Sequence, residues 1–156
     1  NFLKYFKNFM LVANASLIKS EIKIDTSQFF ATTAVRPMQG QSPYIVNLGL
    51  YYQDNDHGLM VSLLYNVIGK RIVVVGLDNP DVYEMPRNVI DFMITKNIGE
   101  HVQLKGGVQD ILNQKIVEKQ YVEYKDLTGE TLKRDQSTLE YNPGSIITLG
   151  VTVNLN

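Results

Sequence analysis

At 156 residues the chain is long enough for one domain, and a formal net charge of −1 with pI near 6.1 offers no basic field to nucleic acid. Cysteine is absent, which excludes a disulfide framework, thiolate metal sites and thiol catalysis together. Nine Tyr, six Phe and 11 Gly without any Trp tilt the composition toward β structure.

The chain opens Asn1-Phe2-Leu3-Lys4-Tyr5, without Met or a long apolar signal segment, and reads as cut from something longer. No run approaches the ~18 apolar residues of a membrane helix. The longest apolar stretches, around Val61–Leu64 and Ile72–Val75, are strand-sized. The leading signal is instead period-two alternation, the mark of strands with two unlike faces. A weak alternation spans Phe9–Leu17 and is followed by a polar connection over roughly 25–43. After Pro43 the pattern is clear: Tyr44, Val46, Leu48, Leu50 and Tyr52 share one side, and Ile45, Asn47, Gly49, Tyr51 and Gln53 the other.

Asp54-Asn55-Asp56-His57-Gly58 then supplies a tight turn, with Asn and Gly suited to positive φ. Weaker strands are predicted over Val61–Ile68 and Asn88–Lys96, separated by a longer connection at 77–86. Asn97-Ile98-Gly99-Glu100-His101 is the second short turn. Beyond it Val102, Leu104 and Val108 oppose Gln103, Lys105, Gly107 and Gln109. A long connection over 119–143 leads to the last strand, where Ile147, Leu149, Val151, Val153 and Leu155 face away from Ile146, Thr148, Gly150, Thr152 and Asn154.

About six strands result, with connections alternating long and short. A membrane barrel has this asymmetry, whereas a soluble sandwich more often spaces its turns evenly. Tyr44 and Tyr52 bracket their apolar face as interfacial aromatics do. Six strands cannot close, since the smallest single-chain bacterial barrels have ~8, and open edges are costly in lipid. The predicted fold over 1–156 is therefore all-β: an antiparallel, up-and-down transmembrane sheet, present as a fragment of a larger barrel. Its lipid-facing side is assigned to Tyr44, Val46, Leu48, Leu50, Ile147, Leu149, Val151 and Val153.

Several stretches resemble the C-terminal barrel region of TonB-dependent outer-membrane receptors of Gram-negative bacteria. Arg36-Pro37-Met38-Gln39-Gly40-Gln41-Ser42-Pro43-Tyr44 is similar to a loop that these receptors carry before an alternating strand. Gly69-Lys70-Arg71-Ile72, Tyr83-Glu84-Met85-Pro86-Arg87-Asn88, Gly107-Val108-Gln109-Asp110-Ile111-Leu112-Asn113 and Asn142-Pro143-Gly144 follow in the order and spacing of that family. The match runs from about 36 to the end, and residues 1–35 fit by pattern alone. One departure stands out: such barrels usually finish on an aromatic residue, and this chain finishes Asn154-Leu155-Asn156.

The resemblance implies a barrel of about 22 strands closed by an N-terminal plug. It also implies import of a scarce ligand, an iron chelate, a corrinoid, or a glycan or peptide, powered through TonB. The implied partners are outer-membrane lipid, the remainder of the barrel and plug, the TonB complex and, for a glycan or peptide importer, a surface lipoprotein. No cofactor is expected. Arg36, Gln39 and Arg87 are candidates for lining the lumen or packing on the plug, and Asp110 for a lumen-side charge pair with Lys105 or Arg87.

The remaining candidates have plain readings. His57 and His101 fall in turns without metal-ligand spacing, so no metal site is assigned. Gly69-Lys70 lacks the spacing of a phosphate loop. Glu118–Lys119 and Tyr121–Lys125 stand near the start of the longest connection, as a ligand contact or simply a solvated edge. No nucleophile–base pair occurs, and no catalysis is expected. Two rivals remain: another class of outer-membrane barrel, and a soluble or small β-barrel binding a small apolar ligand. In the second the apolar faces would point inward, yet Asn47, Gly49, Gln53, Thr148, Gly150, Thr152 and Asn154 suit a polar lumen better than a dry core.

Overall fold

The computed structural model describes residues 6–23, 35–76, 79–125 and 127–155. Among them lie twelve strands: β1 (Phe9–Leu17), β2 (Ile22–Lys23), β3 (Val35–Arg36), β4 (Tyr44–Asp54), β5 (Leu59–Ile68), β6 (Arg71–Val74), β7 (Val82–Glu84), β8 (Arg87–Ile98), β9 (Val102–Gln109), β10 (Ile116–Lys125), β11 (Thr131–Tyr141) and β12 (Ile146–Val153). The fold of the described residues is all-β and antiparallel, and none of their helices is long and apolar enough to cross a membrane.

Six long strands form one sheet in the order β1-β4-β5-β8-β9-β12, so each of these strands pairs with the next one along the chain. Tight turns join two of the pairs at their lower ends, β4–β5 and β8–β9, as the residue types demand. Asp54 accepts the His57 backbone N–H at 3.1 Å, and Gly58 takes φ of +59°; the β8–β9 turn carries Gly99 at φ +62°. A second sheet, β11-β10-β7-β6, continues the first beyond its upper ends in the matching lateral order, β12-β9-β8-β5. The β2–β3 pair stands in the same way above β1 and β4. None of the three sheets closes on itself.

A belt of interruptions separates the lower sheet from the upper one. Gly69-Lys70 interrupts the β5–β6 path, and Met85-Pro86 the β7–β8 path. Pro86 has no N–H to give a ladder. At Gly69 an added Cβ would lie 2.7 Å from Tyr44 Cε1, so the ring of Tyr44 occupies the space of a side chain. Asp110 (φ +52°) and Asn113 (φ +41°) turn the chain out of β9, and both belong to the few L-residues that tolerate the left-handed region.

The long connections are thus more structured than their polarity predicts. The stretch 119–143 is largely the β10–β11 hairpin, and 77–86 contains β7. Glu118–Lys119 and Tyr121–Lys125 accordingly sit within a strand, paired to β11, instead of on a loop. The first part of the 25–43 connection, 24–34, lies outside the described residues, as do residues 1–5, 77–78 and Asn156.

Register fixes the two faces of the lower sheet, because directly paired residues point to the same side. One rung crosses all six strands: Leu11, Leu50, Leu63, Phe92, Val108 and Ile147. The rung below runs Phe9, Tyr52, Val61, Ile94, Gly106 and Leu149. On the reverse face the rungs are mixed. Asn14, Asn47 and Asn66 align, with Asn66 Nδ2 donating to Asn47 Oδ1 at 2.6 Å, and Thr95, Lys105 and Gly150 align further down. Among the described residues the buried apolar side chains are Ile72 and Val82, both in the upper sheet.

Candidate functional site

Two surfaces carry the chemistry of this molecule: an uncovered apolar face, and a belt of charges on its reverse.

On the apolar face, Leu11 is 72% exposed, Leu50 41%, Leu63 42%, Ile94 37%, Leu104 38% and Leu149 84%, so every one of the six strands leaves it open. The sequence-predicted residues Tyr44, Val46, Leu48, Leu50, Ile147, Leu149, Val151 and Val153 are brought together on this one face, through the continuous register from β4 to β12. Polar members occur at its ends. Lys96 donates from its Nζ to the His57 carbonyl in the lower turn, and Asn88 accepts the Tyr65 hydroxyl at 2.7 Å near the upper edge. Tyr52 packs on Phe9 with ring centroids 4.9 Å apart at the lower end, while Tyr44 marks the upper. On β5 the apolar series runs Leu59 to Val67, about 27 Å along the strand at ~3.4 Å per residue.

The reverse face meets the belt in a cavity of about 380 Å³ lined by Asn66, Ile68, Arg71, Glu84, Arg87 and Glu118. Ile68 and Arg71 are three residues apart yet share this cavity, as do Glu84 and Arg87. The interruptions therefore break the strict alternation between the lower and the upper sheet. Arg87 pairs with Asp110. Asp91 on β8 accepts the Asp110 backbone N–H at 2.8 Å, and Ser145 donates to the Asp110 carbonyl at 2.7 Å. Asp110 is buried, and its Oδ1 has no hydrogen-bond partner, so Arg87 carries most of the compensation for that charge. Beside it Arg71 Nη2 donates to both oxygens of Glu84, at 3.2 and 3.0 Å.

Arg36 and Gln39 belong to a separate tie at the edge of the upper sheet. Arg36 Nη1 lies 3.0 Å from Asp81 Oδ1, an oxygen that also accepts the Gly76 N–H at 2.9 Å. Gln39 donates to the Val73 carbonyl at 2.9 Å. The four residues singled out from the sequence thus fall into two groups, Arg87 with Asp110 in the belt and Arg36 with Gln39 at the β6 edge. Of the two basic partners considered for Asp110, the geometry selects Arg87. Sequence reasoning did not foresee Arg71–Glu84 or the role of Asp81, since both depend on the upper sheet and its bulges.

On the side of the upper sheet that continues the apolar face, the Lys70 ammonium lies 4.7 Å from the Tyr83 ring centroid and 5.0 Å from that of Tyr121. The two rings meet edge-on at 5.7 Å. Burial pushes the Tyr83 phenol above its ordinary range, and the negative charge of Asp81 adds to this, while Arg36 opposes it. His57 is engaged by Asp54 at 2.8 Å in the lower turn, and among the described residues no three metal-ligating side chains gather. Compared with protein-family models, with curated proteins and with solved structures, the chain matches none.

Proposed function

We propose that this chain is the C-terminal wall of a transmembrane β-barrel in a Gram-negative outer membrane, and that the barrel is a TonB-dependent transporter. The observation that carries the membrane reading is the open apolar face spanning six paired strands, with its polar members at the two ends. In water an apolar surface of that extent is covered by a second layer; in lipid it is the wall. The mixed reverse face, with its Asn rung and charged belt, suits a hydrated lumen closed by a plug. Short lower turns and long upper hairpins suit the periplasmic and outer sides respectively.

The transporter class rests on the sequence resemblance. The ligand would be scarce and too large for simple pores: an iron chelate, a corrinoid, or a glycan or peptide fragment. Arg87, Asp110, Arg36 and Gln39 would then stiffen the wall where it meets the plug and the outer loops. The open edges of β1 and β12 would pair with further barrel strands, since unpaired edges in lipid are costly.

An immunoblot of outer membranes from the source cells, unheated and heated in detergent, with antibody against residues 43–58, tests the proposal. A large band that shifts on heating supports a folded barrel containing this wall. A soluble band near 17.7 kDa would mean a small water-soluble β protein and would end the transporter reading.

A further inference from the structure

Directly above the top rung of the apolar face, where Leu17 pairs with Tyr44, lies a cleft of about 260 Å³. Ile18, Pro37, Pro43 and Ile72 give it apolar walls, and Lys19 and Lys70 line it as well. The cleft adjoins the top of the lower sheet: Ile18 and Pro43 extend the Leu17–Tyr44 pairing by one step, with the Ile18 N–H donating to the Pro43 carbonyl at 2.9 Å. Leu17 itself is 90% exposed.

The basic side chains of the described residues are unevenly compensated. Arg71 is answered by Glu84, Lys115 by Glu140, Lys119 by Asp135 at 3.8 Å and Lys133 by Glu123 at 2.7 Å. Among the described residues, neither Lys19 nor Lys70 has a carboxylate within ion-pair distance. Lys70 is instead held over two tyrosine rings, which fix the position of a cation without neutralising it. Two ammonium groups without a carboxylate partner among the described residues, beside an apolar slot, match an amphiphile with a negative head and a hydrocarbon tail.

We propose that this cleft seats the net-negative, phosphate-bearing head of an outer-leaflet lipid on Lys19 and Lys70, with an acyl chain descending past Leu17 and Tyr44. The inference rests on the barrel reading above and adds a defined lipid site to it. The head takes the two ammonium groups, and the tail covers the most exposed corner of the wall.

The test uses the intact protein, purified from its membrane in non-ionic detergent and titrated with phosphatidylglycerol or with phosphatidylcholine under native mass spectrometry. Phosphatidylglycerol should bind in preference to phosphatidylcholine. The Lys19→Gln/Lys70→Gln variant should weaken that binding by roughly fivefold per lysine while leaving phosphatidylcholine unchanged. Unaltered phosphatidylglycerol binding in the double variant, with the heat-dependent gel shift intact, overturns the lipid site and leaves the barrel reading standing. Displacement of the lipid by millimolar inorganic phosphate also overturns it, assigning the cleft to a soluble anion. Recovery of the protein as a water-soluble species with no heat-dependent shift overturns both readings.

Discussion

Arg87 and Asp110, 23 positions apart, meet as an ion pair where β8 begins and β9 has just ended. The pairing depends on the backbone of Asp110. At φ +52° the chain leaves β9, and the Asp110 N–H is delivered to Asp91 while the carboxylate reaches Arg87. One acid thereby ends a strand, ties its backbone to the neighbouring strand and balances a half-buried guanidinium.

Removing either half should therefore cost more than a surface pair. Arg87→Ala leaves the Asp110 carboxylate uncompensated at a site where its side chain is only 12% exposed. Because Arg87 keeps some solvent contact, the expected loss is about 1–3 kcal/mol, below the ~3–5 of a fully enclosed pair. Asp110→Asn keeps the tolerance for positive φ and should cost less than Asp110→Val, which loses both charge and conformation. The temperature at which the unheated gel form converts to the heated one ranks the three variants. Equal cost for Asp110→Asn and Asp110→Val would remove the backbone argument.

The two faces of the lower sheet should respond oppositely to charge. Leu149→Arg and Val151→Arg place a guanidinium on the apolar side, where a mid-membrane position costs ~2–4 kcal/mol, and assembly should fail. Thr148→Arg, one position away on the reverse face, should assemble. Surface labelling of intact cells reads the outcome, and equal tolerance on both faces would sink the membrane assignment.

Gly69 is a position of close approach. A methyl group there would lie 2.7 Å from Tyr44 Cε1 and 2.9 Å from Ser42 Oγ. Gly69→Ala should force the Tyr44 ring aside and destabilise the fold by about 1–3 kcal/mol, as overpacking does. Gly69→Ala combined with Tyr44→Ala should recover much of that loss, beyond the cost of removing the ring. Thermal conversion of all three variants tests the coupling. Strict additivity would show that the ring yields freely.

The upper sheet should be sensitive to alkali. Tyr83 has its phenol pushed up by burial, so above pH ~10 an unfolded chain releases this proton before the folded one does. Its contribution is complete below that pH and is lost as pH rises through the folded value. Lys133, raised by its hydrogen bond to Glu123, weakens the hairpin in the same direction. At the acid end Glu140, held below its usual range by Lys115, contributes above pH ~4.5 and loses that contribution as pH falls. The ultraviolet difference titration between the intact protein and its Tyr83→Phe variant isolates one phenol. A midpoint at or below the ordinary tyrosine value would contradict the burial argument.

The lower sheet was legible from the residues because one of its faces is apolar between its two ends. Tyr44 to Tyr52 and Ile147 to Val153 alternate cleanly, and Asp54–Gly58 and Asn97–His101 carry turn chemistry, so strand limits and connections follow. The β10–β11 hairpin was not legible. In Ile116–Lys125 charged residues occupy both sides, Glu118 on one and Lys119 on the other, as expected of a strand wetted on both faces. Such a strand has no hydrophobic period to detect. The same blindness hid Arg71–Glu84, since the Gly69-Lys70 and Met85-Pro86 interruptions break the count of two on which any face assignment relies.

Those interruptions also have a consequence for how the molecule can vary. A strand slipped by one residue normally turns all its side chains over. Here the belt separates the alternation of the two storeys, and at the hairpin tip nothing described lies within 4 Å of a Cβ added at Gly129. Segments can be spliced into that tip, an epitope or a whole small domain, without disturbing the alternation below.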